Sequence, residues 1–253
     1  MTDKGKERRR YQRKRLPLPV RVRGHERIDS EWTEFGRLID VTPFGARITI
    51  PRLTEVGRLL HLHFALPRQL RCFDYAEDQY RVWSLVRHVI FPEPTGTEGL
   101  RLDVGVAFLG KHAPASYAIN PLTRYEVADS ATTGQFQSIQ ERPQSEAAPF
   151  ATERREQRYR IPIEVRLEVL DTSGQVITAE NTVTEDISRS GACVYTASQV
   201  EVGQFVRLTS VQYETSITAV TRASYTKSDN FTRLGLEFVG AEWPLPGIEQ
   251  SEP

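Results

Sequence analysis

The sequence predicts an all-β protein made of two small six-stranded barrels joined by a flexible linker, and three observations predict it. One block of the chain occurs twice in the same order, the segments between turn signals are short and rich in Val, Ile, Thr and aromatics, and a polar stretch separates the two copies. The repeat comes first, because an internal duplication decides architecture before any motif is weighed. Arg9 to Val22 aligns with Arg154 to Leu167 without a gap, and Asp40-Val41-Thr42-Pro43-Phe44-Gly45-Ala46 aligns with Asp186-Ile187-Ser188-Arg189-Ser190-Gly191-Ala192. Glu55-Val56-Gly57 then aligns with Glu201-Val202-Gly203, and Val104 to Gly110 with Leu234 to Gly240. Four blocks in one order indicate a tandem duplication.

In the first copy, residues 1–127, period-two segments bounded by turn residues predict strands near 17–23, 33–40, 45–50, 57–66, 79–91 and 100–109. Pro67 to Asp78 is the extra length this copy carries before its last strand, and a short helix limited by Pro121 is expected within 113–127. Residues 128–152 are rich in Ser, Thr, Gln, Glu, Pro and Ala, a linker composition that buries too little apolar surface to fold. Phe136, Ile139 and Phe150 are the exceptions and are expected to rest on a domain surface. The second copy, residues 153–243, predicts strands near 162–170, 176–186, 191–197, 203–211, 214–226 and 232–239, and the Pro-rich residues 244–253 form an irregular tail. Six strands in so short a unit suit closure into a barrel, which removes exposed sheet edges.

Composition narrows the class. The chain has 253 residues, 39% hydrophobic and 26% charged, the range of ordinary soluble proteins. No apolar run has the length of a bilayer span and the basic N-terminus has no apolar segment behind it, so no membrane span and a cytoplasmic location are expected. Cys72 and Cys193 are too few for a disulfide framework and are read as free thiols. The zero net charge conceals an asymmetry: residues 1–127 hold 22 Lys/Arg against 15 Asp/Glu, and the remainder carries the opposite balance.

The residues that read as chemistry rather than core are the arginines at each copy's start and the Asp-hydroxyl-Gly turn that follows. In the second copy these are Arg154, Arg155 and Arg158, then Asp186, Ser188 and Gly191; in the first, Arg9, Arg10 and Arg13, then Asp40, Thr42 and Gly45. Arginine offers planar donor forks for phosphate and for the acceptor edge of a purine, and it stacks on purines, whereas lysine does neither as well. An ionised Asp accepts from the donor edge of such a base, a hydroxyl donates or accepts, and a glycine permits a turn or a close approach that a Cβ would block. An anionic nucleotide fits this set.

Arg-x-x-x-Arg about 30 residues before Asp-x-Ser-x-x-Gly, on a six-stranded barrel, resembles the PilZ domain family. The resemblance covers 153–241, and Leu234-Gly235-Leu236-Glu237-Phe238 is similar to that family's last strand. It implies a split-barrel fold and a bacterial receptor for the second messenger cyclic di-GMP. Arg154 and Arg158 would hold guanines and phosphates, Arg155 would add a contact, and Asp186 and Ser188 would take a guanine edge. The first copy departs at Thr42, whose β-branch restricts χ1, and Pro43 stiffens the turn beside it. Binding is therefore expected of the second copy and left open for the first.

Other classes fit less well. There is no nucleophile elbow, phosphate loop or supported acid–base pair, so no enzyme and no cofactor is expected. His61 and His63 alternate on a strand, but no third ligand stands at metal spacing and no metal site is expected. Nucleic acid is not expected as a partner, because no recognition helix or aromatic RNA platform is evident and much of the basic N-terminal arm belongs to the repeat. The expected mechanism is an arginine arm, mobile when empty, that closes over cyclic di-GMP and changes the arrangement of arm and domains for a protein effector not identified by the sequence. The alternative is a degenerate pair of barrels that bind a protein partner without ligand.

Overall fold

Alternating apolar and polar side chains build both barrels, one face of each strand turning inward. The protein is described here by a computed structural model covering residues 12–92, 100–128, 136, 138–142 and 156–245. The first copy contains β1 (Lys14–Arg15), β2 (Pro19–Arg27), β3 (Ser30–Thr42), β4 (Gly45–Ile50), β5 (Leu59–Phe64), β6 (Tyr80–Ile90) and β7 (Leu102–Gly110). Helix α1 (Ala115–Ile119) and the short strands β8 (Tyr125–Val127) and β9 (Ile139–Glu141) follow. The second copy contains β10 (Glu164–Leu170), β11 (Val176–Ile187), β12 (Gly191–Thr196), β13 (Phe205–Ser210), β14 (Thr215–Thr226) and β15 (Thr232–Phe238). Among the described residues no helix is long and apolar enough to cross a membrane.

The first ring runs β3-β2-β5-β6-β7-β4 and closes through a β3–β4 pairing, with β1 added along the end of β3. Val20 and Val22, Ile48 and Ile50, Leu60, Leu62 and Phe64, and Val104, Val106 and Phe108 alternate into its core. β2 and β3 are longer than expected, because only Ile28 and Asp29 separate them and Gly24 lies opposite Trp32. The missing side chain at Gly24 is the space the indole fills: a Cβ there would sit 2.6 Å from the Trp32 ring.

The Pro67 to Asp78 insertion is irregular apart from one 3-10 turn at Arg68–Leu70. Buried Arg71 holds it, donating to the carbonyl oxygens of Leu66, Asp74, Glu77 and Asp78 at 2.5–3.0 Å. Part of the expected linker is structured: β9 pairs with β8, Ile139 packs against the cluster of Leu59, Leu85, Tyr117 and Tyr125, and Phe136 meets the rings of Phe44 and Phe73. Phe150 lies outside the described residues.

The second ring is a closed barrel ordered β10-β11-β12-β15-β14-β13. Val165, Leu167 and Val169, then Ala192 and Val194, then Val206 and Leu208, then Leu234, Leu236 and Phe238 face inward, and fully buried Trp243 stacks on Phe238. Its turns carry their own chemistry. The Asp171 carboxylate accepts from the backbone N–H groups of Ser173 and Gln175, and Asn230 takes the left-handed conformation, φ 62°, that Asn tolerates.

Candidate functional site

In each copy the chain preceding the barrel runs antiparallel to the end of the strand that carries the Asp. Lys14 pairs with Val41 and Arg15 with Asp40 in the first copy. The equivalent pair in the second is Tyr159 with Ile187, hydrogen-bonded in both directions at 2.8 and 2.9 Å. This backbone tie delivers Arg13 and Arg158 to the Asp. Arg158 Nη1 lies 2.7 Å from Asp186 Oδ1, and Arg13 Nη1 lies 3.6 Å from Asp40 Oδ1. Arg9, Arg10, Arg154 and Arg155 lie outside the described residues.

A β-bulge aims the carboxylate in both copies, because the register shifts immediately before it, between Leu38 and Asp40 and between Thr184 and Asp186. In the second copy the extra residue, Glu185, is braced from outside. Its carboxylate accepts from Lys227 Nζ and Arg233 Nε, both at 2.8 Å, and the nearly buried Arg233 also pairs with Asp229 and lies over the Tyr195 ring. Burial raises the Glu185 pKa, but the hydrogen bonds from Lys227, Arg233 and Cys193 outweigh it and leave the group below its ordinary value of 4.5. Because the folded value is the lower one, the stabilisation is complete above 4.5 and is lost as the pH falls through the depressed folded value. Glu185→Gln is expected to cost about 1 kcal/mol at neutral pH and much less in acid. Denaturant melts of both proteins across that range check it, and an equal penalty at both ends would contradict the assignment.

Ser188 is buried, and its backbone N–H and hydroxyl both donate to the Gly191 carbonyl, at 2.8 and 3.2 Å. Thr42 makes the same hydroxyl contact to Gly45 at 3.3 Å, and its Oγ1 also accepts from the Phe44 N–H. The hydroxyls thus shape the turn, an Asx/ST-type arrangement, and orient the Asp above it. Gly45 and Gly191 are needed for a different reason than a turn: each lies against the last strand of its barrel, where a Cβ would press on the carbonyl oxygen of Val106 or Leu236.

Three contributors were not singled out from the sequence. Glu156, inside the Arg-x-x-x-Arg span, accepts from the Ser190 N–H and hydroxyl at 3.1 and 2.8 Å and ties the arm to the Asp-x-Ser turn. Buried Thr184 donates to the Ile161 carbonyl and accepts from the Ile163 N–H, fastening the arm's downstream end. Arg47 places Nε 3.0 Å from Asp40 Oδ2 and reaches Asp103, so in the first copy the carboxylate already holds a guanidinium from its own barrel. Cys193 occupies the register-equivalent place beside Asp186, and burial pushes its thiol up to about 11. The signal for Arg47 was visible in the alignment as an Arg standing where the other copy has Cys.

Residues 152–242 match the PilZ domain family. No curated protein sequence matches the chain. Solved structures resemble it: MotI/DgrA, the inhibitor of motility of Bacillus subtilis, at 11% identity, covering 87% of each chain with a TM-score of 0.29. PlzA of Borreliella burgdorferi in complex with c-di-GMP resembles it at 12% identity, covering 95% of this chain and 92% of that one, TM-score 0.27. YcgR of Escherichia coli in complex with c-di-GMP does so at 10% identity, covering 88% and 76%, TM-score 0.29.

Proposed function

With residues 152–242 a PilZ domain, we propose that the chain is a cyclic di-GMP receptor whose ligand binds the second barrel between the arginine arm and the Asp-x-Ser-x-x-Gly turn. The observation that carries the reading is the meeting of Arg158 with Asp186 at 2.7 Å, above a turn set by Ser188 and Gly191. That pair presents a donor fork beside an acceptor carboxylate, the two halves of a guanine-reading surface. On ligand capture Arg158 turns from Asp186 to the guanine and phosphates, Arg154 and Arg155 add their guanidiniums to the ligand, and Asp186 accepts from the base edge. The change reaches the chain between the barrels because the arm is continuous with it, and a protein effector reads the resulting arrangement.

The first copy supports a weaker version. Asp40 is held by Arg47 at 3.0 Å as well as approached by Arg13 at 3.6 Å, so a ligand there displaces an ion pair internal to the barrel. That observation favours the second reading for this copy, a barrel serving protein interaction. Calorimetric titration of the full chain with cyclic di-GMP tests both. Arg154→Ala/Arg158→Ala is expected to weaken binding at least about 100-fold, given the size of charge-assisted hydrogen bonds. Undiminished affinity would remove the second-copy site. Arg9→Ala/Arg13→Ala is expected to leave the stoichiometry unchanged; a lost binding step would show that the first copy binds too.

A further inference from the structure

The outer face of the first barrel carries a second cationic constellation, on β2, β5 and β6. Antiparallel register across β3, β2, β5 and β6 sets Phe35, Arg21, His63 and Arg81 in one row, and Thr33, Arg23, His61 and Trp83 in the next. Helix α1 covers the far end of this face, where the Tyr117 hydroxyl meets His25 Nδ1 at 2.9 Å and its ring packs edge-on against Trp83. Among the described residues nothing covers the other end, and there Arg21, His63, Gln79 and Arg81 line a cleft of about 270 Å³. His63 forms its buried floor, and the exposed Arg21, Gln79 and Arg81 form its walls.

The hydrogen bonds of the floor assign its tautomers. A guanidinium only donates, so His63 Nδ1 accepts from Arg21 Nη2 at 2.6 Å and the ring carries its proton on Nε2. That proton is donated to His61 Nδ1 at 3.0 Å, and His61 stacks on Trp83 with ring centroids 4.6 Å apart. The guanidiniums that act on these rings are Arg21 and Arg23 from β2 and Arg81 from β6, and the two imidazoles neighbour each other on β5. The carboxylate on neighbouring β3, Glu31, is taken by Arg23 at 2.8 Å, and Arg21 and Arg81 have no carboxylate partner among the described residues.

We propose that the cleft lined by Arg21, His63, Gln79 and Arg81 is an anion site that takes a phosphate group, free or esterified, independently of the arginine-arm site. A tetrahedral phosphate has enough oxygens, pointing in different directions, to accept at once from two guanidiniums on opposite walls and from the Gln79 amide. Proton uptake follows from the same geometry. Burial, followed for His63 by Arg21 and for His61 by His63, holds both imidazoles down to about 4, so they are neutral near pH 7. A bound anion raises those values. Protonated His63 then donates through Nδ1 to the anion and releases the Arg21 guanidinium to do the same, so affinity rises as the pH falls towards the free value.

The test uses the full chain and the imidazole NMR signals of its 5 histidines. Inorganic phosphate, adenosine monophosphate and sulfate are titrated separately, each against chloride of equal ionic strength. Saturable movement of the His61 and His63 signals is expected with all three. A tighter response to the nucleotide would assign an esterified source, and an equal one a free phosphate. Sulfate, whose charge is constant, should bind more tightly at about pH 5 than at about pH 7. Arg21→Ala/Arg81→Ala should weaken the response about tenfold or more. Arg81→Gln, a change at an exposed side chain, should do so partly, and Arg158→Ala should leave it intact. An unchanged response in the Arg21/Arg81 variant, an equal effect of chloride, or movement with a polyglutamate peptide alone would overturn the proposal.

Discussion

Gly191→Val is expected to unfold the second barrel under conditions where the parent chain is folded. Gly191 begins β12 opposite Glu237 of β15, and a Cβ at this position falls well inside contact distance of the Leu236 carbonyl oxygen. The obstacle is backbone rather than the end of a flexible side chain, so relief requires separating two strands of a closed ring. Overpacking in a well-packed interior costs about 1–3 kcal/mol, and a rigid obstacle places this change at or above the upper end. That is a large part of the roughly 5–15 kcal/mol that holds a domain folded. Gly203→Ala is the control, because Gly203 has φ +91° and no heavy atom within 4 Å of an added Cβ. It bears only the left-handed backbone penalty, about 1 kcal/mol. Denaturant midpoints for the two variants should therefore differ widely; coincident midpoints would show that β12 and β15 are not tightly apposed at Gly191. Gly45, whose Cβ would meet the Val106 oxygen at 2.5 Å, carries the same expectation for the first barrel.

The strands were legible because their signals are local. Asp171 to Gly174 and Lys227 to Asn230 are strong turn sequences, so the bounds of β10, β11, β14 and β15 fall close to those expected. The bulges at Ile39 and Glu185 were not legible, since Leu38-Ile39-Asp40 and Thr184-Glu185-Asp186 suit a regular strand equally well and the irregularity exists only relative to the partner strand. The same holds for the pairing of the arm: Tyr159 opposite Ile187 is a long-range contact with no short-range pattern. The β8–β9 pair was hidden by composition, because three apolar residues in a polar stretch average to a linker although Phe136 and Ile139 each find an apolar site. Of the candidate site, the choice of Arg158 and Asp186 came from residue types, the repeat and the family resemblance, whereas their direct contact is visible only in the structure. The role of Arg47 did not, because charge on an exposed strand face is ordinarily solvated.

Asp186→Asn is the substitution expected to separate ligand binding from folding most cleanly. The Asp186 side chain is 20% exposed and its ion partner Arg158 is 34% exposed, so losing this surface pair costs about 1 kcal/mol of stability or less. The consequence for the proposed ligand is larger. An ionised carboxylate accepts twice from the guanine N1–H and N2–H₂ donors, while a carboxamide offers one oxygen and turns an NH₂ group towards the remaining donor. One charge-assisted hydrogen bond becomes a neutral one and another becomes a repulsion, at about 1.5–3 kcal/mol for each charged contact. Affinity for cyclic di-GMP should fall at least about 100-fold while the denaturant midpoint stays near that of the parent. Asp40→Asn supplies the internal comparison. With Arg47 already on that carboxylate at 3.0 Å, its removal should change the calorimetric isotherm little and should instead loosen the ends of β3 and β4. An Asp186→Asn protein that binds like the parent would place the ligand elsewhere on the barrel, even if the arginine variants lose affinity, because the guanidiniums would then be acting on phosphate without the base-reading carboxylate beside them.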